Sequence, residues 1–205
     1  MVYKIDNRPK RHQGRILALG IIVGVIITIG GFYWFENTPN LIKMAGQVST
    51  NVTNQVRNIS ILQTQKQNTD LHALAMKIHD SINRQRISYN LPHLDWSESI
   101  SLVATEHSKD MALNNYFDHI DLSGKNPIQR LSDNGINCNN YVGENIAAPE
   151  GYSASEIPDA VVNAWMNDEG HKANIINSGF TQEGIGLYQV GNQIYITEDF
   201  CSSSS

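Results

Sequence analysis

Residues 184–200, GIGLYQVGNQIYITEDF, fold back on themselves around Gly191-Asn192. A two-residue junction carrying glycine suits a tight hairpin, because such turns demand positive φ and glycine accepts it. Two strands are therefore expected, 184–190 and 193–200, with Ile194, Ile196 and Phe200 on one face. Upstream the periodicity changes. Residues 155–168 place Ile157, Val161, Ala164 and Trp165 on one side of a helix that tolerates Pro158 in its first turn and runs into Gly170. A second helix starts after Ser97 with Ile100, Val103, Ala104, His107 and Met111 on its apolar stripe, and Asn114 and Asn115 end it. A third is expected after Asp70 as cap, burying Leu71, Leu74, Ala75, Ile78 and Ile82 and leaving at Asn90-Leu91-Pro92. Helices in series closed by a hairpin give an α+β layered domain, not a repeating βαβ fold.

Outward from this domain the composition shifts twice. Residues 36–69 are rich in Asn, Gln, Thr and Ser and read as a polar stalk or spacer. Leu41, Ala45, Val48, Val52, Val56, Ile59 and Leu62 nevertheless recur at spacings of three and four, a stripe that would allow weak self-association of a stalk helix. Two Asn-x-Ser/Thr acceptor patterns, at Asn51 and Asn58, fall in the same stretch. Before it, residues 16–35 form an uncharged apolar run of 20, matching the roughly 20 helical residues that cross a bilayer of about 30 Å. A cleavable signal peptide would have a shorter apolar core ending in small residues, whereas this run ends in Phe32, Tyr33, Trp34 and Phe35. The expectation is a single transmembrane helix. Lys4, Arg8, Lys10, Arg11 and Arg15 then keep residues 1–15 in the cytoplasm and place the rest outside.

The portion beyond the run carries 10 basic and 19 acidic residues, about −9 in formal charge. A surface so acidic offers little to a phosphate backbone, so nucleic acid is excluded as a partner. Both cysteines, Cys138 and Cys201, lie in that exported portion. An oxidising exterior lets them pair, joining the middle of the domain to its last strand; two buried free thiols are the alternative.

Four ordered motifs carry a resemblance. Ile82-Asn83-Arg84-Gln85-Arg86 followed by Leu91-Pro92-His93-Leu94-Asp95-Trp96 is the first; Tyr116-Phe117-Asp118-His119 comes next, then Gly143-Glu144-Asn145-Ile146-Ala147, then Trp165-Met166-Asn167-Asp168-Glu169-Gly170-His171-Lys172-Ala173-Asn174-Ile175-Ile176. In this order they resemble the prokaryotic branch of the CAP superfamily, the cysteine-rich secretory, antigen 5 and pathogenesis-related type. The resemblance covers about 70–201. It implies an α-β-α sandwich with a small antiparallel sheet between helical layers, and a cleft lined by two histidines and two acids. Carried over by motif, these are His119, Glu144, Asp168 and His171. Similar prokaryotic proteins often show Ser-Pro before Gly-His, where this chain has Asp168-Glu169, so both acids stand as candidates.

Two imidazoles and two carboxylates in a cleft support three kinds of chemistry. They hold a divalent metal, zinc ahead of copper; they act as general acid and base, with His119, Glu144 and His171 as catalytic candidates; or they form a satisfied polar network. The leading expectation is a membrane-tethered extracellular module binding a metal or an envelope ligand, with a metal- or histidine-dependent hydrolase as the alternative. No Gly-x-Ser-x-Gly elbow occurs in the sequence, though Ser123 is a hydroxyl that could approach His119. His107 reads as a structural histidine, His79 and His93 as surface or loop residues, and Trp165 as a packing anchor. Tyr116 and Phe117 are expected to wedge the His119 loop against the domain, and Asn145 to support the loop beside Glu144.

Overall fold

The structure, a computed structural model, describes residues 38–139 and 141–202. The expected cytoplasmic tail and membrane span lie outside those residues, and among the described residues no helix is long and apolar enough to cross a membrane. The chain divides into two units, Met1–Ile59 and Ser60–Ser205. The hydrophobic core belongs to the second.

The first helix, α1, runs Thr38–Ser88. The stretch expected as a spacer is thus helical from Thr38, and Asp70 is an interior helical residue instead of a cap. Residues 47–88 contain neither glycine nor proline, so nothing there interrupts the backbone ladder. The helix stops where Asn90 turns left-handed at φ 57° and the Leu91 N–H returns to the Arg86 carbonyl, ahead of Pro92.

After α1 come β1 (Asp95–Trp96), α2 (Glu98–Asn114), α3 (Pro127–Asp133), β2 (Val142–Ala147), α4 (Ile157–Asn167), α5 (Glu169–Ile175), β3 (Gln182–Val190) and β4 (Gln193–Cys201). The expected second helix keeps its limits: the Ser97 hydroxyl accepts from the Ile100 N–H, and Asn115 closes the helix in the left-handed region. The helix expected over 155–168 is α4, and Asp168, which ends it, caps a further short helix, α5. The sheet order is β1-β3-β4-β2. Contrary to an all-antiparallel expectation it is mixed, since β1 pairs in parallel with β3.

Two cores sandwich this sheet. Leu74, Ile78 and Ile82 of α1, Val161 and Trp165 of α4 and Ile175 of α5 cover one face, meeting Ile185, Leu187, Ile196 and Phe200. On the other face Ile100 and Val103 of α2 join Leu131 of α3 and the Cys138–Cys201 disulfide. Here α2 lies directly on β3, because Gly184 and Gly186 present no side chain: a Cβ would sit 2.2 Å from the Ser101 nitrogen and 1.9 Å from that of Thr105, respectively. Hydroxyls stitch the contact, Ser101 donating to the Ile185 carbonyl at 2.8 Å and Ser108 to that of Gly186 at 2.9 Å. The layered α-β-α arrangement leaves β2 as an edge strand, and the candidate site is built along it.

Candidate functional site

Glu144 and Asn145 are neighbours on β2, so their side chains leave the strand on opposite faces. Glu144, 7% exposed, lies opposite Asp199 of β4. One of its oxygens takes His119 Nδ1 at 2.7 Å, and the other takes Arg130 Nη2. The Arg130 guanidinium also donates to the His119 carbonyl at 2.8 Å and to the Lys125 carbonyl at 3.1 Å. One arginine therefore fixes both the acid and the loop that carries its histidine. With Nδ1 held by a carboxylate, the other ring nitrogen of His119 is the one left for a ligand, and the side chain is 41% exposed.

On the other face Asn145 is fully buried. Its amide donates to Glu198 at 3.0 Å and to the His171 carbonyl at 3.4 Å, while its oxygen accepts from Asn174 at 2.9 Å. Asn174 also donates to the Glu144 carbonyl at 3.1 Å, tying α5 to β2. His171 Nδ1 lies 3.1 Å from Asp168 Oδ1. That same oxygen accepts the backbone N–H groups of His171 and Gly170 at 3.0 Å each, which hold the Asp168 carboxyl below its usual range. Burial lowers the pKa of His171; Asp168 opposes this and the charge of nearby His119 adds to it.

Of the paired acidic candidates Asp168 adjoins its histidine, whereas Glu169 is exposed. Asn145 supports the site as expected, but from within a strand. His107 is the expected buried histidine, its Nε2 donating to the Asp118 carbonyl at 3.0 Å and lying 4.0 Å from Glu144. Trp165 is a packing anchor whose indole donates to the Ile146 carbonyl at 3.2 Å. Three expectations need correction. His79 is not a surface residue: α1 buries it against Glu183, 2.5 Å from its Nδ1. Phe117 does not wedge the loop but is 45% exposed, and Tyr116 alone anchors it, through Asp110. Ser123 donates to Asp121 at 2.7 Å, not to His119.

Sequence reasoning missed Arg130 because α3 was unread. A signal existed: Asn126 and Gln129 exchange side-chain and backbone hydrogen bonds across Pro127, a capping box with proline in the first turn. Asp199 and Glu198 were missed because only strand register sets them beside Glu144 and Asn145.

The donor set bears on a metal in two ways. Among the described residues no group of three or more His, Cys, Asp or Glu is arranged to hold an ion. Yet both imidazoles turn Nδ1 to a carboxylate, the arrangement that metal-ligating histidines adopt to fix their tautomer and raise their basicity. In each ring Nδ1 faces the carboxylate, so Nε2 is the nitrogen turned away from it.

A family model described as CAP, cysteine-rich secretory protein family, matches residues 79–201. Over 124 residues the chain is 35% identical to the uncharacterized protein YkwD of Bacillus subtilis (strain 168), covering 60% of this chain and 46% of that protein. It is 34% identical over 124 residues to the uncharacterized membrane protein YlbC of the same organism, of which it covers 33%. The chain therefore spans less than half the length of these curated relatives. Among solved structures, an extracellular protein containing a SCP domain from Bacillus anthracis str. Ames superposes with a TM-score of 0.58 at 33% identity, over 65% of this chain and 41% of that one. An outer surface protein from Borrelia burgdorferi shares the fold, with a TM-score of 0.54 at 24% identity over 66% and 94% of the two chains.

Proposed function

Since the chain belongs to the CAP family of cysteine-rich secretory proteins, we propose that it is a membrane-tethered extracellular module whose His119 and His171 bind a divalent transition metal or a cleft ligand. The observation that carries this reading is the pair of carboxylate-held imidazoles, His119 on Glu144 and His171 on Asp168. His119 Nδ1 is hydrogen-bonded to Glu144 and His171 Nδ1 faces Asp168, an arrangement that favours Nε2 as the lone-pair atom. Glu144 and Asp168 thereby orient the ligands. A bound cation would supply Lewis acidity and a point of attachment for oxygen or nitrogen atoms of an envelope ligand. Imidazole donors suit both zinc and copper, and zinc, which keeps open positions for water, is the metal proposed.

The tether and its orientation are supported by the uncharged run 16–35 with its cationic leading flank. Relatives point the same way, one being named a membrane protein and one an extracellular protein. A disulfide suits an exported domain. The hydrolase alternative draws on the same groups with His119 as base; Ser123, the hydroxyl expected near that ring, is held by Asp121 instead, and binding is the reading adopted.

Calorimetric titration of the full chain with zinc and with copper is expected to show saturable binding that the double variant His119→Ala/His171→Ala loses. Equal affinity in the two proteins would remove these residues as ligands.

A further inference from the structure

We propose that the stalk portion of α1 forms a parallel two-stranded coiled coil with a second copy of this chain. Every residue from 43 to 59 is exposed, including Val48 (61%), Val52 (52%), Val56 (61%) and Ile59 (55%), with Leu62 at 64% just beyond. Helices in water draw most of their stability from packing an apolar face. This stretch is also rich in Val, Thr, Ser and Asn, which are poor helix formers. Its helix therefore calls for a partner on the apolar side.

The spacing names that partner. Ala45, Val52 and Ile59 repeat every seven residues, and Val48, Gln55 and Leu62 repeat in the same way three residues later. This is the a/d seam of a coiled coil, which a second helix of the same pattern fills. Branched Val52 and Ile59 at a, with Leu62 at d, follow the two-stranded pattern, Val48 and the polar Gln55 being the other d residues. Charge placement agrees. Between residues 38 and 65 the sequence has only two charged residues, Lys43 and Arg57, and both fall at f, farthest from the seam. Identical copies can therefore lie side by side without like charges meeting at the flanks. Their parallel sense rests on the reading of 16–35 as a membrane span, which ends only two residues before α1 begins. The consequence is a bivalent assembly, presenting two His119–His171 sites to a repetitive envelope ligand with the gain in avidity that linkage brings.

The test is cysteine cross-linking of the full chain in mild detergent, the native cysteines being joined to each other. Single variants Ala45→Cys, Val48→Cys, Val52→Cys and Ile59→Cys are expected to form interchain disulfides severalfold faster than Thr50→Cys, Asn54→Cys and Arg57→Cys. Sedimentation should give twice the chain mass, and Val52→Asp/Ile59→Asp should halve it while leaving the domain's thermal midpoint and its zinc binding unchanged. A flat cross-linking profile, maxima at the outward positions, a monomer mass or a trimer mass would each overturn the proposal. Loss of zinc binding in the His119→Ala/His171→Ala variant leaves this test untouched, so the two readings fail separately.

Discussion

Glu144 and Asn145 show how much a single pair of strand residues organises, one bracing His119 and the other holding the segment that carries His171. Behind them lie more acids than a small domain ordinarily buries: Glu183, Glu198 and Asp199 are all fully buried. Burial, with Glu183 beside it, holds Glu198 well above its usual range; burial pushes Glu183 up to about 7, against the hydrogen bond from Glu198 and the charge of Arg86. Asp199 is likewise raised by burial and by Glu144, against Arg130. Folded carboxyls that keep protons the unfolded chain releases contribute stability that is fully present below about pH 4. That contribution is lost as pH rises toward and past 7. Buried His79 works in the opposite sense: burial lowers its pKa, so its contribution holds above about pH 6.5 and is lost below it. Glu198→Gln separates the two. Its amide can donate to Glu183 and its oxygen can accept from Asn145 without any shared proton. In thermal melts between about pH 5 and 8 the variant should gain on the parent as pH rises, by up to about 1.4 kcal/mol per pH unit for one proton. Parallel curves would show that Glu198 holds no such proton.

At the level of elements, the contact of α2 with β3 is the least forgiving in the domain. The atom that a Cβ at Gly186 would strike is the Thr105 backbone nitrogen at 1.9 Å, so no rotamer change relieves it. Gly186→Ala is expected to abolish the cooperative unfolding transition seen by circular dichroism; a midpoint within a few degrees of the parent would contradict the close approach. This contact also marks where sequence reading stops. The hairpin, the caps of α2 at Ser97 and Asn115, and Pro158 in the first turn of α4 were legible because each is fixed within a few residues by turn chemistry or by periodicity. Strand β2 was not, since its polar centre at Glu144-Asn145 becomes a strand only through pairing with β4, more than 50 residues later. The site divides along the same line. His119, Glu144, Asp168 and His171 are candidates the motifs offer, whereas Arg130 and the acids behind β2 depend on register and on a short helix that only its capping box announces.

For the whole molecule, the family fold accounts for about two thirds of the chain; ahead of it lie a polar, helical stretch with an apolar stripe and, in the sequence, an uncharged apolar run. The disulfide suits that setting. It joins residues 63 apart in sequence, and closing a loop of roughly that length contributes about 4 kcal/mol by restricting the unfolded chain. On the proposed reading, a domain so fastened would hold a ligand outside the cell through His119 and His171 beside its edge strand. X-ray absorption at the zinc edge of the loaded full chain tests that claim most directly. The expected spectrum shows two imidazole nitrogens at about 2.0–2.1 Å, recognised by multiple scattering from their rings, with the remaining positions filled by single oxygen scatterers. A shell with no imidazole, or one unchanged by His119→Ala/His171→Ala, would contradict it.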